Sequence, residues 1–293
     1  MTQIAILTPD PADPSYACQW PGVLERLQTA LAKGGITAVA TPWTDHVESV
    51  EGLKAYPLVL PIIVWGYHRD AARWSQATRT WAEAGLPVAN PASVLGWNSD
   101  KSYLGRLAER GVPIAPTLWV QDVTPAEVEA AFDRLGTDLL VVKPTVSAGA
   151  WKTLKIARGE TITPDSLPTG PAMIQPYLAT IEIEGETSLL FFGGRFSHAV
   201  NKTPVNGDFR IQVQFGGQYR TVETPPAEVL ALAHQVLETI EEPLLYARID
   251  MAPDADGRWL LMEAELIEPD FYLKNDPTEG AGFVQAVRDR LEA

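Results

Sequence analysis

Residues 245–269 read LYARIDMAPDADGRWLLMEAELIEP and contain two strand-like runs that flank a turn-forming segment. Proline, aspartate and glycine occur in this segment, residues 253–257, so the sequence predicts a β-hairpin. Because successive side chains of a strand point to opposite faces, each run should present one charged face and one apolar face. The charged face carries Arg248, Asp250, Glu263 and Glu265. The apolar face carries Ala247, Ile249, Met251, Met262, Ala264 and Leu266.

The charged face of the hairpin has two interpretations. Asp250, Glu263 and Glu265 would repel one another without a cation between them, and their hard oxygen atoms suit Mg²⁺ or Mn²⁺. Alternatively, this face is the solvated outer face of an antiparallel hairpin, on which Arg248 is paired across the strands with an acid. The hairpin alone does not distinguish a metal site from a solvated face.

The composition of the chain argues against several classes of function. Its 293 residues, 46% of them hydrophobic, suffice for a large core and two or three lobes. A net charge of -14 argues against general binding to nucleic acid or anionic membranes, which depends on Lys and Arg. Cys18 is the only cysteine, which excludes an internal disulfide and a thiolate zinc site. We find no signal-peptide pattern and no membrane-spanning stretch, so we expect a cytoplasmic protein.

The first 92 residues alternate between strands and helices, which is typical of a parallel α/β domain. Ligands of such sheets bind beyond the carboxyl ends of the strands. The segments to examine are therefore the loop 9–16 and the segment 65–69, unless Trp65, Tyr67 and His68 simply pack the edge of the sheet. The predicted elements are strands at 3–8, 36–40 and 56–64 and helices at 21–33 and 71–84.

Two lysines lie beside segments that can contact phosphate. Lys101 is near the start of a helix predicted from Ser99 to Gly111, and another helix is predicted at about 125–135. Lys143 belongs to the end of an apolar strand predicted at 139–144, and a loop of small residues, 145–153, follows it. The backbone amides of such a loop and one ammonium group can hold a phosphate together. The loop matches no standard P-loop, and a single lysine at this place is more often a solvated strand terminus.

The strand predicted at 173–178 is interrupted by Pro176. Because proline cannot donate a hydrogen bond to a sheet, the backbone groups of residues 175–178 are expected to be free of strand pairing. Such groups can read the edge of a planar base.

A polar loop, 203–219, contains Asp208, Phe209 and Arg210, followed by a glycine pair at 216–217. The glycines favour mobility or close approach to a ligand. The elements predicted around this loop are strands at 187–192 and 196–202 and helices at 228–240 and 282–291.

Seven motifs occur along the chain in a distinctive order: DK near a helix start, VVKP before the small-residue loop, QPYL, GETS, DFR followed by GG, RID and MEAE. This succession resembles the ATP-grasp ligases, and within them the glutathione synthetase and ribosomal-modification branch. Around SHAVNK, RID and ELIEP it is similar to the ATP-grasp cyclo-ligase of cycloserine biosynthesis. The resemblance covers about residues 90–275, and the first lobe is similar only in a generic way.

The resemblance implies an α/β (α+β) protein with the ATP-grasp fold. Residues 1–92 would form an N-terminal parallel α/β pre-ATP-grasp domain, followed by two α+β subdomains that clasp ATP. The first subdomain, 93–178, would carry the phosphate loop, and the second, 179–293, would carry the metal-binding carboxylates.

The family pattern also implies roles for individual residues. ATP binding would involve Lys101, Lys143, Ser147, Gly149, Gln175, Tyr177, Leu178 and Glu186. The ligands of Mg²⁺ or Mn²⁺ would be Asp250, Glu263 and Glu265. Glu265 departs from the common family pattern E-x-N, because a carboxylate replaces the amide. The catalytic cations would be Lys202, Arg210 and Arg248.

The resemblance implies an ATP-dependent ligase that forms ADP and phosphate. A small carboxylate or amino-acid-like substrate would become an acyl phosphate, which an amine attacks or which closes into a ring. Catalysis would depend on positioning and charge stabilisation, since no side-chain nucleophile is needed. The alternatives are a ligase that adds amino acids to a peptide or protein and a nucleotide-binding protein without catalysis. No nucleic acid or membrane partner is expected, and the resemblance allows a homodimer or homotetramer.

Overall fold

The structure of the protein is a computed structural model that describes residues 2–205, 208 and 210–293. Three β-sheets follow one another along the chain, and each draws its strands from one of the three predicted segments. The mixed α/β class predicted from the sequence is confirmed, whereas the domain boundaries near residues 92 and 178 stay predictions. Among the described residues, no helix is both long enough and apolar enough to cross a membrane.

The first sheet is parallel and lies in the N-terminal segment. Its strands, in the order β2-β1-β3, are β1 (Thr2–Thr8), β2 (Ile36–Pro42) and β3 (Val59–Leu60). The helices of this segment are α1 (Trp20–Lys33) and α2 (Ala71–Glu83). Strand β3 is much shorter than the strand predicted at 56–64. Pro57 and Pro61 flank it, and neither has an N–H to donate to a neighbouring strand.

The helix predicted from Ser99 to Gly111 is wrong at its start. The structure has two short helices, α3 (Ala92–Asn98) and α4 (Tyr103–Glu109), with Lys101 in the turn between them. The Lys101 N–H donates to the carbonyl of Thr145 at 2.8 Å, rather than to a carbonyl of a helix. The loop after residue 144 therefore takes the hydrogen bond that a continuous helix would have used.

The second sheet is antiparallel and has the order β4-β7-β5-β6. Its strands are β4 (Leu118–Val120), β5 (Leu139–Pro144), β6 (Leu154–Ala157) and β7 (Ala172–Pro176). Helix α5 (Pro125–Leu135) packs on this sheet, with Val128 and Phe132 in one core with Leu140 and Ile174. The bounds of β5 and α5 are those that the sequence predicts.

The third sheet is also antiparallel, with the order β10-β9-β8-β11-β12. Its strands are β8 (Glu186–Phe192), β9 (Arg195–Thr203), β10 (Gln218–Val222), β11 (Tyr246–Pro253) and β12 (Trp259–Glu265). The remaining helices are α6 (Thr180–Ile183), α7 (Ala227–Glu238) and α8 (Ala281–Glu292).

The two faces of the third sheet have different environments. One face is apolar and packs with α7, as shown by Leu189 and Ile249, which share a core with Val229. The other face is apolar at one end only, where Leu190 and Val200 join the core of the N-terminal segment. The opposite end of that face carries the charged residues of β8, β9, β11 and β12, which places them together at one side of the sheet.

β11 and β12 form the predicted hairpin, and its face assignment is confirmed for every apolar residue except Met262. Asp250 pairs with Glu263, but the next residue, Met251, pairs with Leu261, so Met262 is an extra residue in β12. Such a β-bulge interrupts the strict alternation of side chains. Met262 therefore lines the cleft on the charged side instead of the core.

β12 is an edge strand whose outer backbone groups are bonded to α3 and α4. The Tyr103 hydroxyl donates to the carbonyl of Ala264 at 3.1 Å and accepts from the N–H of Ala264 at 2.8 Å. The Asn98 side chain donates to the same carbonyl at 2.8 Å and accepts from the N–H of Leu266 at 3.0 Å. Two side chains thus occupy the place of a neighbouring strand.

Asn90 connects the N-terminal segment to the third sheet through hydrogen bonds. Its buried side chain donates to the carbonyls of Tyr246 at 2.9 Å and Leu266 at 2.8 Å, and it accepts from the N–H of Leu245 at 2.7 Å. These bonds satisfy buried backbone groups at the start of β11 and just beyond the end of β12.

We expect Asn90→Ala to lower the free energy of unfolding by about 3 kcal/mol, because each buried backbone group left without a partner costs about 1–3 kcal/mol. Asn275→Ala is the control, since the side chain of Asn275 makes one exposed hydrogen bond, to Thr221. Urea unfolding followed by circular dichroism compares the two variants. Equal losses of stability would show that the bonds of Asn90 contribute nothing beyond those of a surface amide.

Candidate active site

A cleft with a cavity volume of about 220 Å³ lies between the second and third sheets. Its walls are the ends of β5 and β7, the loop after β5 and the charged side of the third sheet. Every residue predicted for ATP binding, metal binding or catalysis lines this cleft: Lys101, Lys143, Ser147, Gly149, Gln175, Tyr177, Leu178, Glu186, Lys202, Arg210, Arg248, Asp250, Glu263 and Glu265. The structure brings these residues together, and their individual roles stay predictions.

Acidic and basic side chains alternate across the charged side of the third sheet. Lys202 of β9 contacts Glu186 of β8 at 2.6 Å and Asp250 of β11 at 3.2 Å. Arg248 of β11 contacts Asp250 at 2.9 Å and also donates to Glu265 of β12. The strand registers account for this order, because Glu186 is opposite Lys202 and Arg248 is opposite Glu265. We call these five residues the ion network.

The solvated-face interpretation of the hairpin is wrong. Arg248 does pair across the strands with Glu265, as that interpretation expects, but Arg248 is only 6% exposed and Asp250 only 2%. Burial of a charge is costly unless it is paired and hydrogen-bonded. The Ser188 hydroxyl donates a further hydrogen bond to Asp250 at 2.6 Å, which completes the surroundings of this carboxylate.

Burial and charge shift the pKa values of the two β11–β12 acids in opposite directions. Burial raises the pKa of Asp250, but Arg248 and Lys202 outweigh burial and hold this pKa well below its usual range. Burial raises the pKa of Glu265 to about 7, because the attraction of Arg248 is partly cancelled by the repulsion of Glu263. Asp250 is therefore ionised at neutral pH, whereas Glu265 titrates there.

The two predicted phosphate lysines have different surroundings. The buried ammonium of Lys101 donates to Glu263 at 2.7 Å and to the carbonyl of Ser147 at 2.7 Å. Among the described residues, the ammonium of Lys143 makes no hydrogen bond and no ion pair. Burial and then the charge of Lys101 lower the pKa of Lys143, as expected for a cation that lacks an anionic partner.

The three predicted metal ligands lie on one face, but each already has a cationic partner. Glu263 contacts Lys101, and Arg248 contacts both Asp250 and Glu265. The described residues contain no group of three or more His, Cys, Asp or Glu side chains arranged to hold a metal ion. Carboxylate oxygens suit Mg²⁺ or Mn²⁺ chemically, and binding at this place would require the carboxylates to exchange these partners.

The segment after β7 differs in one respect from its prediction. The N–H of Tyr177 donates to the carbonyl of Leu139 at 2.9 Å, so this group continues the pairing with β5 past Pro176 and is not free. The N–H of Leu178 donates no hydrogen bond to any described residue. Gln175 donates through its side chain to Thr117 at 2.9 Å. The prediction assigned free backbone groups to all of residues 175–178, and the N–H of Leu178 is the donor that fits it.

The loop after β5 is anchored at several points. The Ser147 hydroxyl donates to the carbonyl of Pro144 at 3.1 Å, while the carbonyl of Ser147 accepts from Lys101. The ring of Trp151 contacts the ring of His68 from the N-terminal segment, with centroids 5.5 Å apart. This loop therefore contacts both the N-terminal segment and the turn between α3 and α4.

The loop after β9 carries Arg210, which lines the cleft. Its guanidinium contacts Asp208 at 2.7 Å and lies 3.7 Å from the ring centre of Phe215. Phe209, the middle residue of the predicted motif, lies outside the described residues. A Cβ atom at Gly217 would come within 1.9 Å of the carbonyl oxygen of Ile211, so this position requires glycine. The close approach of the loop to a ligand stays a prediction.

The N-terminal segments singled out for ligand binding do not line the cleft. Tyr67 and His68 are buried, and Trp65 donates to the carbonyl of Glu268 at 3.1 Å, so packing is the role that the structure gives them. Neither ring nitrogen of His68 has a hydrogen-bond partner among the described residues, and burial lowers its pKa to about 4.

Two cleft residues, Tyr219 and Tyr272, were missed by the sequence analysis. Tyr219 faces the cleft because its strand partner is Lys202. Tyr272 follows the hairpin in an irregular segment without periodicity. A strand predicted directly after the loop that contains Arg210 would have indicated Tyr219, which lies in β10. No sequence pattern indicates Tyr272.

Comparison with known proteins shows what the chain is similar to. Residues 4–90 match the family described as D-cycloserine synthetase DcsG, N-terminal domain. The chain is 29% identical over 295 residues to the cycloserine biosynthesis protein DcsG of Streptomyces lavendulae, covering 93% of each chain. The crystal structure of D-cycloserine synthetase DcsG superposes with a TM-score of 0.80 at 25% identity, covering 99% of both chains. The ATP-grasp ligase PsnB superposes with a TM-score of 0.64 at 17% identity, covering 99% of this chain and 100% of the other.

Over almost its whole length the chain is similar to ATP-grasp ligases. The D-alanine–D-alanine ligase of Bacillus anthracis shares the fold, with a TM-score of 0.72 at 16% identity over 100% of this chain and 99% of the other. The ATP-grasp fold predicted from the order of the motifs is therefore confirmed. The likeness also extends beyond residues 90–275, since the first lobe of this ligase matches a specific family and not only a generic domain.

We expect Glu265 to make the stability of the nucleotide-free ligase fall as the pH rises from 5 to 7. The folded protein holds the Glu265 proton more tightly than the unfolded chain, whose glutamate has its ordinary pKa, so deprotonation favours unfolding. The side chain is 26% exposed, so the slope should not exceed about 1 kcal/mol per pH unit.

Urea unfolding of the wild type and of Glu265→Gln at several pH values measures this slope without added metal. The glutamine variant should lose less stability over this range, whereas Glu109→Gln, an exposed control, should follow the wild type. Parallel curves for the wild type and Glu265→Gln would contradict the shifted pKa.

Proposed function

We propose that this ATP-grasp ligase uses ATP to convert the carboxylate of a small amino-acid-like substrate into an acyl phosphate. An amine or similar nucleophile then attacks the acyl carbon and releases phosphate, giving an amide or a closed ring. Support for a small substrate comes from the relatives, which are named for cycloserine and for the joining of D-alanine to D-alanine.

The observation that carries the proposal is the unpaired cation of Lys143. Every charge of the ion network has an opposite charge beside it, but Lys143 lies in the cleft without an anionic partner among the described residues. A partly buried cation without a partner is costly, and the phosphates of a bound nucleotide would remove that cost. The neighbouring backbone of residues 147–150 also lines the cleft and supplies N–H groups.

The remaining residues then have consistent tasks. Leu178 would donate its free N–H to the adenine base, and Glu186 would accept from the ribose. Lys101, Lys143 and Arg210 would stabilise the charge that develops on the transferring phosphoryl group, while Lys202 and Arg248 orient the acids. Asp250, Glu263 and Glu265 would hold Mg²⁺ or Mn²⁺, which neutralises phosphate charge when bound.

We expect Lys143→Met to weaken ATP binding by about tenfold to a hundredfold, because one charge-assisted contact is worth roughly 1.5–3 kcal/mol. The variant should unfold at the same temperature as the wild type or higher, since it removes a charge without a partner. Calorimetric titration with ATP and Mg²⁺ gives the dissociation constants. Lys54→Met is the control, because Lys54 is exposed and contacts Glu51. Wild-type affinity in Lys143→Met would contradict the phosphate contact.

The reaction itself is tested by phosphate release from ATP and Mg²⁺ in the presence of single amino acids and pairs of amino acids. Acyl phosphate is trapped with hydroxylamine and identified by mass spectrometry. A substrate that stimulates phosphate release without giving a hydroxamate would contradict the acyl-phosphate step.

In the same assay, Arg210→Ala should reduce single-turnover acyl-phosphate formation by about a hundredfold and change ATP affinity little. Arg210 lies in a loop, so it can engage the phosphoryl group mainly in the transition state. Arg195→Ala is the control, since Arg195 is exposed and outside the cleft. Equal losses in binding and rate would identify Arg210 as a ground-state phosphate contact.

A further inference from the structure

Three side chains outside the ion network form a further charged contact at the edge of the second sheet. The Tyr177 hydroxyl donates to the Glu182 carboxylate at 2.6 Å, and the ammonium of Lys155 donates to the same oxygen at 3.0 Å. The Lys155 ammonium also lies 3.8 Å from the centre of the Tyr177 ring. Each of the three groups therefore contacts the other two, and we call these residues the Glu182 clamp.

The Glu182 clamp lies around the connection between β7 and β8. Lys155 belongs to β6, Tyr177 follows β7 directly, and Glu182 lies in α6. The chain passes from the second sheet to the third through residues 177–185. The contact between Tyr177 and Glu182 closes the first part of this connection into a loop around Leu178.

Helix α6 is attached to the third sheet. The Thr180 hydroxyl donates to the carbonyl of Pro253 at the end of β11 at 2.5 Å. The Asn201 side chain of β9 donates to the carbonyl of Glu184, just after the helix, at 2.9 Å. Because β6 is part of the second sheet, the Glu182 clamp bonds one wall of the cleft to a helix that belongs to the other.

The backbone of Leu178 lies between these two attachments. On its N-terminal side, the N–H of Tyr177 donates to the carbonyl of Leu139 in β5 at 2.9 Å. On its C-terminal side, the carbonyl of Leu178 accepts from the N–H of Ile181 in α6 at 3.2 Å. The direction of the free Leu178 N–H therefore depends on how β5 and α6 are placed relative to each other, and the Glu182 clamp fixes that placement.

The Glu182 clamp is suited to position a binding group rather than to stabilise the fold. The hydrogen bonds from Tyr177 and Lys155 lower the pKa of Glu182, so this carboxylate is ionised at neutral pH. Its side chain is 45% exposed, and an exposed ion pair adds little to the stability of a fold. Tyr177 and Leu178 line the cleft, whereas Glu182 and Lys155 do not. Loss of either charge should therefore affect ligand binding through Tyr177 and Leu178.

We propose that Glu182 and Lys155 are positioning residues that orient the Leu178 N–H towards N1 of the nucleotide base and thereby set the selectivity for that base. This proposal rests on the proposed function, in which Leu178 donates to adenine. Adenine presents an acceptor at N1, whereas the hypoxanthine base of ITP presents an N–H there. A firmly oriented donor favours ATP over ITP, because two facing N–H groups leave each other without an acceptor. A loosely held donor can turn away from the mismatch.

The test measures dissociation constants of ATP and ITP by calorimetry, with Mg²⁺ and the full-length protein. Both nucleotides carry the same triphosphate, so the ratio of their constants is insensitive to a general change of charge near the cleft. The variants are Glu182→Ala, Lys155→Met and Tyr177→Phe, each of which removes one part of the Glu182 clamp. Glu51→Ala is the control, because Glu51 forms an exposed ion pair with Lys54 outside the cleft. The temperature of unfolding is measured in parallel.

We expect the wild type to bind ATP about tenfold or more tightly than ITP, and each variant to lower this ratio by about threefold to tenfold. The temperature of unfolding should stay unchanged. The double variant Glu182→Ala/Tyr177→Phe should lower the ratio no further than the single variants, because the two residues act as a unit.

An unchanged ratio in Glu182→Ala and Lys155→Met would overturn the positioning role. A lower ratio in Tyr177→Phe alone would have the same consequence, since Tyr177 would then contact the base directly. A wild type that binds ATP and ITP equally would overturn the proposed selectivity and leave the ligase function standing. A wild type that binds neither nucleotide would refute the ligase function itself.

Discussion

The charged side of the third sheet depends on the pairing of five ions, of which Lys202, Arg248 and Asp250 are buried. In the ion network, two cations stand between three acids, and each cation contacts an acid on either side. Removing Lys202 would leave Glu186, and removing Arg248 would leave Glu265, without a basic partner in the network, which costs more than losing a surface ion pair. The antiparallel registers of β8, β9, β11 and β12 create the order of signs, so the electrostatics and the sheet topology cannot change independently.

The second sheet carries a cation without a partner, in contrast to the paired ions of the third sheet. Lys143 has no counter-ion among the described residues. The ammonium of Lys101 donates to Glu263 on one wall of the cleft and to the loop carbonyl of Ser147 on the other. A protein with a net charge of -14 thus keeps an unsatisfied positive charge at one point of its cleft. Attraction of an anionic ligand is local here, because the overall charge of the molecule opposes it.

The parts of the fold that depend on short-range patterns were predictable. The hairpin, β5 and α5 follow from alternation, from apolar runs and from helix-capping residues such as Thr124 and Gly136. The parts that depend on tertiary contacts were not. Alternation cannot reveal the bulge at Met262, because the extra residue appears only when β12 is paired with β11.

The candidate site shows the same division between local and tertiary signals. Motif order indicated residues on strands, including Lys143 and Asp250, because strands project side chains at regular intervals. The turn that holds Lys101 depends on a hydrogen bond to Thr145, 44 residues away, and the left-handed backbone of Tyr272, with a φ angle of 48°, is held by hydrogen bonds with Asp270 and Asn275. Neither signal is present in a local pattern of residue types.

The side chains that cover the outer edge of β12 have a consequence for intermolecular contacts. An open sheet edge can accept a strand from another polypeptide, which is a route to aggregation and to the capture of extended peptides. At Ala264 that route is closed, because Tyr103 and Asn98 already occupy its N–H and carbonyl. A peptide therefore cannot be held by main-chain pairing at this part of β12, and this part of the edge is closed to self-association.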